Sequence, residues 1–290
     1  MLQKLAIQAT IYVNINLGAE FGIKYCVVIM GLMKNNMPEK QIIIDDLRIH
    51  YYQSDDFDGK NTTVFLHGWN SESTHLKSIF QEVDNCIALD LPGFGKSDRP
   101  NAVWGVAEYA DLLRKFLEKL AIENPILVGH SFGGSTAMKY LSQDGAAKKL
   151  ILLSAAGIRK TGVKIHIYKI IAKIVGFFLK IPVLTHFRDR IRKKAYKMMG
   201  SEDYIEAGVL KESYKKIIRQ DLSEEMKKIK IETVLIWGEN DTATPLDHGK
   251  RMQELISNSE LFIIKSAGHF AFIDQPEEFK KIFLREINVT

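Results

Sequence analysis

The chain predicts an α/β fold built on a mostly parallel sheet, and three observations lead there. From residue 40 onward, apolar runs of strand length alternate with stretches of helical spacing. Apolar runs joined by helices imply parallel strands covered on both faces. One run, 125–128, leads directly into Gly129-His130-Ser131-Phe132-Gly133 and then into a helix-like stretch over 134–141, so strand, sharp turn and helix follow without a linker.

The elements follow in order. Residues 42–44 and 48–52 predict a hairpin, with Asp45-Asp46 as its turn signal. A buried strand is expected over 62–67, helical spacing over 75–83 and another strand over 85–90. Residues 106–120 read as an amphipathic helix with Leu112, Leu113, Phe116, Leu117 and Leu120 on one face. After the strand at 125–128 and its helix comes a strand over 149–154. The pattern then changes between 157 and about 221. That stretch shows helical spacing without strong strand signal and carries sixteen basic against six acidic residues. Strand-like sequence returns at 233–237 and 260–264, with helices over 246–256 and 275–287, which makes eight strands in all.

The expected organisation is therefore an α/β core over 37–156 and 223–290, interrupted by a helical cap over 157–222. Its apolar residues, Ile165, Ile167, Ile170, Ile171, Ile174, Val175 and Phe177 to Leu179 among them, suffice for a greasy roof over a pocket. The basic residues of this stretch read as a solvated face; an anionic acyl carrier or a membrane surface is the sharper alternative. Residues 1–36 read as an upstream extension or a misplaced start, with a membrane-surface or packing role as the lesser alternative. Their apolar runs fall short of the ~20 residues that span a bilayer, and they lack the clean apolar core and small-residue cleavage site of a signal peptide.

Composition sets the outer limits. A 290-residue chain with 46% apolar and 26% charged residues buries a large core. A net charge of +5, with neither zinc-finger spacing nor an aromatic RNA-binding signature, does not indicate nucleic acid. Two cysteines make no disulfide framework, and Cys86 lies in an apolar run, so a buried thiol in a reducing, cytoplasmic setting is expected. The oligomer expected is a monomer or small homo-oligomer.

Gly-x-Ser-x-Gly after a strand and before a helix is the context of a nucleophile elbow. The turn is so tight that its flanking positions exclude side chains, and Ser131 is pushed out of the sheet edge. A serine hydroxyl is a poor nucleophile until a base stands beside it. Two downstream loops offer the partners: Trp237-Gly238-Glu239-Asn240-Asp241-Thr242-Ala243-Thr244-Pro245 and Ser266-Ala267-Gly268-His269-Phe270, each after a strand. Residues just past the carboxyl ends of parallel strands gather at one edge, where ligands bind. Asp241 also suits a turn cap, and Asp247, its nearest rival, falls inside the next helix.

From about residue 40 to 290 the chain resembles an α/β-hydrolase-fold protein with an inserted helical cap. Five motifs carry the resemblance: His67-Gly68-Trp69, the run Asp90-Leu91-Pro92-Gly93-Phe94-Gly95-Lys96-Ser97, the elbow, the Gly-Glu-Asn-Asp loop and Gly268-His269-Phe270. One Gly-x-Ser-x-Gly alone is weak; all five in order, after suitable strands, are specific. The resemblance implies a mostly parallel eight-stranded sheet and a Ser131-Asp241-His269 triad. It implies an oxyanion hole from the backbone N–H groups of Trp69 and Phe132, with no metal or cofactor. His67 supports the oxyanion loop, His130 lies behind the elbow, Asp90 and Ser97 build loop structure, and Trp104 and Phe270 are candidate pocket walls.

Serine at the elbow excludes haloalkane dehalogenases and epoxide hydrolases, which carry aspartate there. His67-Gly68-Trp69-Asn70-Ser71 differs from the His-Gly-Gly-Pro-Gly of prolyl iminopeptidases and is poorer in glycine than the loop of many carbon–carbon hydrolases. It is similar to small carboxylesterases, although those acting on pimeloyl-type methyl esters carry Gly-Trp-Ser where this chain has Gly129-His130-Ser131. The expected function is hydrolysis of small to medium carboxylic esters. A lactonase, a carbon–carbon bond hydrolase and a non-catalytic binding protein of the same fold stay open.

Overall fold

The structure, a computed structural model, describes residues 37–159 and 210–288. The expected N-terminal extension and most of the expected cap, with its apolar roof residues, lie outside the described residues. The eight strands are β1 (Glu39–Ile44), β2 (Leu47–Gln53), β3 (Thr63–Leu66), β4 (Cys86–Leu89), β5 (Ile126–His130), β6 (Lys149–Leu153), β7 (Glu232–Gly238) and β8 (Ser259–Ile264). They form one sheet in the order β1-β2-β4-β3-β5-β6-β7-β8. β1–β2 and β2–β4 pair antiparallel, and every other pair is parallel.

The hairpin closes at Asp45 and Asp46, with φ of 47° and 64°, joining Ile44 to Leu47. Two consecutive positive φ values are the type I′ geometry whose twist matches the flanking strands, and Asp tolerates it. Further in, the period of two sorts each strand's side chains between two cores. Val64, Leu66, Ile87, Leu89, Leu127, Leu150, Leu152, Leu235 and Trp237 join one cluster. Phe65, Cys86, Ala88, Ile126, Val128, Ile151, Leu153, Val234 and Ile236 join the other.

The first cluster is covered by α2 (Val106–Lys119) and α3 (Phe132–Ser142), joined by Met252 and Leu255 of α6 (Leu246–Leu255). α2 starts where Gly105 N–H donates to Glu108 Oε2 at 2.7 Å, and it buries Tyr109, Leu112, Leu113, Phe116 and Leu117. Each such side chain contributes about 1.5–3 kcal/mol on burial. The second cluster is covered by the short α1 (Lys77–Phe80), by α7 (Ala271–Asp274) and by Phe279, Phe283 and Ile287 of α8 (Pro276–Asn288).

The stretch expected as a helix over 75–83 is a 3-10 turn, Ser73–Leu76, followed by the single turn of α1. Ser73 N–H and hydroxyl both donate to Asp90 Oδ1, at 2.8 and 2.5 Å, and these long-range bonds set the local path. The last helix is likewise preceded by α7, with Pro276 starting α8, a position that needs no amide donor.

Between β6 and β7 the described residues keep the two ends of the insertion, with α4 (Lys211–Ile218) and α5 (Ser223–Met226) on its returning side. Leu222 N–H donates to Gly157 O at 2.8 Å, and Arg159 N–H to Asp221 Oδ2 at 2.8 Å, so the outgoing and returning chains are pinned together. No helix among the described residues is long and apolar enough to cross a membrane.

Candidate active site

Chain order reverses at β3, which has β4 on one side and β5 on the other. Such a switch point opens a crevice beyond the strand ends. His67-Gly68-Trp69 follows β3 and Ser131 follows β5, so the His67–Trp69 loop and the Ser131 turn border that crevice. Ser131 holds φ 50° and ψ −112°, outside the regions a side chain prefers, which costs about 1–3 kcal/mol. The strain is held by its backbone. Its N–H donates to Leu153 O at 3.0 Å, and its carbonyl accepts the N–H groups of Gly134 and Ala156 at 3.1 and 2.9 Å. The elbow glycines are required: a Cβ at Gly133 would stand 2.2 Å from Leu66 O, and one at Gly129 2.6 Å from Gly134 Cα.

The other two predicted residues meet directly. His269 Nδ1–H donates to Asp241 Oδ2 at 2.9 Å, and the Asp241 side chain is fully buried. Asp241 Oδ1 accepts the N–H groups of Ala243 and Thr244, both at 2.9 Å. Burial alone would push this carboxyl up. The hydrogen bond and charge of His269, with the Thr244 contacts, outweigh that and hold it below the usual carboxylate range. It is ionised at neutral pH, and it fixes the His269 tautomer with the proton on Nδ1, leaving Nε2 as the basic nitrogen.

The loop expected to supply an oxyanion donor, His67-Gly68-Trp69, lies against the Ser131 turn. A Cβ at Gly68 would be 3.4 Å from Ser131 Cβ and 3.1 Å from His130 Nδ1. Among the described residues, neither the Trp69 nor the Phe132 main-chain N–H donates to another group. His67, buried, holds the loop: Nδ1–H donates to Gly68 O at 2.7 Å while Nε2 accepts Leu91 N–H at 2.9 Å. Burial pushes its imidazole down, so it remains neutral. Asp90 accepts Ser73 and the Lys96 N–H (3.0 Å), and Ser97 Oγ donates to Asp90 O at 2.6 Å, the loop-building roles expected of both.

A model of the family described as the alpha/beta hydrolase family matches residues 63–282. The chain belongs to the alpha/beta hydrolase family. Among its relatives, the AB hydrolase superfamily protein YisY of Bacillus subtilis (strain 168) is 28% identical over 252 residues, covering 78% of this chain and 91% of that protein. A 2-hydroxy-6-oxononadienedioate/2-hydroxy-6-oxononatrienedioate hydrolase of Pseudomonas putida is 26% identical over 265 residues, covering 82% of this chain and 91% of that one. The solved esterase EaEST from Exiguobacterium antarcticum superposes with a TM-score of 0.65 at 22% identity, covering 84% of this chain and 97% of that one, and it shares the fold.

Two residues tie this alpha/beta hydrolase site together beyond the motifs. Thr244 Oγ lies 2.9 Å from Asp241 Oδ2, 2.9 Å from Ser154 O and 3.2 Å from His269 Nδ1. Its loop is held by Trp237 Nε1–H, which donates to Thr244 O at 2.7 Å. The second residue is His130, whose Nε2–H donates to His269 O at 3.1 Å and ties the Ser131 turn to the His269 loop. Burial, and then the neighbouring His269, push His130 down to about 3. Phe270 is 40% exposed and packs beside the His130 and His269 rings. Trp104 stands farther off: its N–H donates to Ser213 Oγ at 3.0 Å, and its ring meets Tyr109, which in turn meets Phe132. Among the described residues no cluster of three or more His, Cys, Asp or Glu could hold a metal ion.

Proposed function

We propose that this hydrolase cleaves small to medium carboxylic esters through an acyl-enzyme on Ser131, with His269 as the base and Asp241 behind it. The observation that carries the reading is the 2.9 Å contact of His269 Nδ1 with a buried, ionised Asp241. That contact leaves Nε2 available to a serine set on a strained elbow. In this reading Nε2 takes the Ser131 proton as Oγ bonds to the acyl carbon, and the carbonyl electrons move onto oxygen. The main-chain N–H groups of Trp69 and Phe132 receive that oxyanion, each worth about 3 kcal/mol. The carbonyl re-forms, the ester C–O bond breaks, and the leaving alkoxide takes the proton from His269. Water then repeats the sequence and frees the acid. No metal or cofactor enters these steps.

The test is a ladder of p-nitrophenyl esters from acetate to palmitate, with lactones alongside, on wild type and Ser131→Ala. Turnover that peaks at short or medium chains and disappears in the variant supports the reading; faster turnover of long chains refutes the size preference. A second reading, carbon–carbon bond hydrolysis, is favoured by the name of the Pseudomonas putida relative. It predicts that ring-cleavage-type dienoates with a vinylogous 1,5-diketone are turned over faster than any ester.

A further inference from the structure

The Trp69 indole has a feature that the oxyanion role of its backbone leaves unexplained. Its Nε1–H is buried from solvent and, among the described residues, has no hydrogen-bond partner. A buried indole N–H normally finds an acceptor, and one left without is destabilising. The ring lies within 5.4 Å of Phe132, the residue after the nucleophile, and is flanked by Phe94 at 4.8 Å and Tyr214 at 5.3 Å. Its own residue follows Gly68, which abuts Ser131. The unmet donor therefore belongs to the side chain of a residue whose backbone borders the nucleophile.

We propose that the Trp69 side chain is a specificity-determining contact: its N–H binds a neutral oxygen acceptor, a ketone or an ether, carried by the acyl chain of the substrate. The inference rests on the esterase reading given above and narrows its substrate class. An indole offers a single neutral donor and no counter-charge. Among the described residues its ring neighbours, Phe94, Phe132 and Tyr214, carry no positive charge either, so a keto or ether oxygen suits the place better than a carboxylate, whose buried charge they would not compensate. A plain alkyl chain would leave the N–H unsatisfied in the complex. An oxygen-bearing chain of the same length would satisfy it, and a discriminating contact of this kind acts mainly by penalising the analogue that lacks the group.

The experiment compares p-nitrophenyl hexanoate with its 4-oxo and 5-oxo analogues on wild type and Trp69→Phe. The variant keeps the backbone N–H and an aromatic ring and loses only the indole donor and its bulk. Intrinsic reactivity differences between the esters cancel in the comparison of the two enzymes. Expected is a preference in kcat/KM for one oxo ester that falls roughly tenfold in Trp69→Phe. A preference unmoved by the substitution overturns the proposal while leaving the esterase reading standing.

Should no ester be turned over, the esterase reading fails, and the indole is tested by binding alone. The chain has three tryptophans, so ¹⁵N–¹H spectra of Ser131→Ala show three indole signals. The signal removed by Trp69→Phe is expected to move downfield on titration with 4-oxo- or 5-oxohexanoic acid and to stay in place with hexanoic acid; no such movement overturns the proposal. If Trp69→Phe does not fold, Trp104→Phe assigns the signal instead. Trp237 then accounts for the remaining one, since its N–H already donates to Thr244 O.

Discussion

Replacing Asp241 by asparagine changes one atom, and the surroundings dictate which way the amide faces. Oδ1 accepts two main-chain N–H groups, from Ala243 and Thr244, both at 2.9 Å, so the amide oxygen must take that place. The NH2 then occupies the Oδ2 position, 2.9 Å from His269 Nδ1 and 2.9 Å from Thr244 Oγ. Thr244 supports this orientation, because its hydroxyl can donate to Ser154 O and accept from the amide. An NH2 facing Nδ1 is accommodated only if Nδ1 carries no proton. The imidazole therefore turns to the Nε2–H tautomer, which cannot take a proton from Ser131. A tautomer reversal of this kind lowers kcat by about 10⁴-fold, or about 5 kcal/mol, with little change in substrate binding. The assay is kcat and KM on the best p-nitrophenyl ester, with Ser131→Ala as the floor. Asp241→Ala has no amide to select the wrong tautomer and is expected to lose less than Asp241→Asn. An asparagine variant within tenfold of wild type would refute the tautomer argument.

Three more expectations concern stability. Ser131→Gly relieves the positive φ at the elbow and should raise unfolding stability by about 1 kcal/mol over Ser131→Ala in a urea titration; equal midpoints would show that no strain is stored there. His130 titrates at about 3 when folded against 6.5 ordinarily, so the unfolded chain binds a proton that the folded one refuses. Its contribution is complete above about pH 6.5 and is lost as pH falls toward 3. Wild type should therefore lose a few kcal/mol more than His130→Gln across that interval, and parallel stability curves would contradict it. Gly133→Ala would press a Cβ to 2.2 Å from Leu66 O, which is main chain and cannot step aside; about 3 kcal/mol or more of lost stability is expected from the thermal midpoint, and a loss under 1 kcal/mol would be inconsistent.

The core strands were legible because burial on both faces makes them apolar along most of their length, as in Val64 to Leu66, Ile126 to Val128 and Leu150 to Leu153. Phe65 and its neighbours Val64 and Leu66 serve opposite cores, yet the sequence need not say which core takes which. The hairpin turn was legible because two consecutive positive φ values suit Asp45 and Asp46. Asp241 offered two readings, turn cap and triad acid, and the structure gives it the cap contacts on Oδ1 and His269 on Oδ2. Less was legible where partners lie far apart in sequence. The expected helix at 75–83 is governed by Asp90, and the His130 bond reaches 139 residues to His269 O. Nothing in the local sequence of Thr244 names Ser154 O or His269 as its neighbours. The single turn of α7 is too short to show a period of its own before Pro276, which starts α8.

The pinned ends of the insertion between β6 and β7 have an architectural consequence. With Gly157 O held by Leu222 and Asp221 by Arg159, the chain leaves the core and re-enters it through one narrow stem. The neighbouring strands are locked by their own parallel ladder, from Lys149↔Glu232 to Leu153↔Ile236. What hangs from such a stem can lengthen, shorten or be exchanged at small entropic cost, about 0.6 kcal/mol for each doubling of loop length. The stem thus works as a socket. Everything from Ser131 back to Trp69 comes before it in the chain and everything from Asp241 to His269 after it, so the sequence between the two ends of the stem can be rewritten in evolution or by grafting while these residues keep their places.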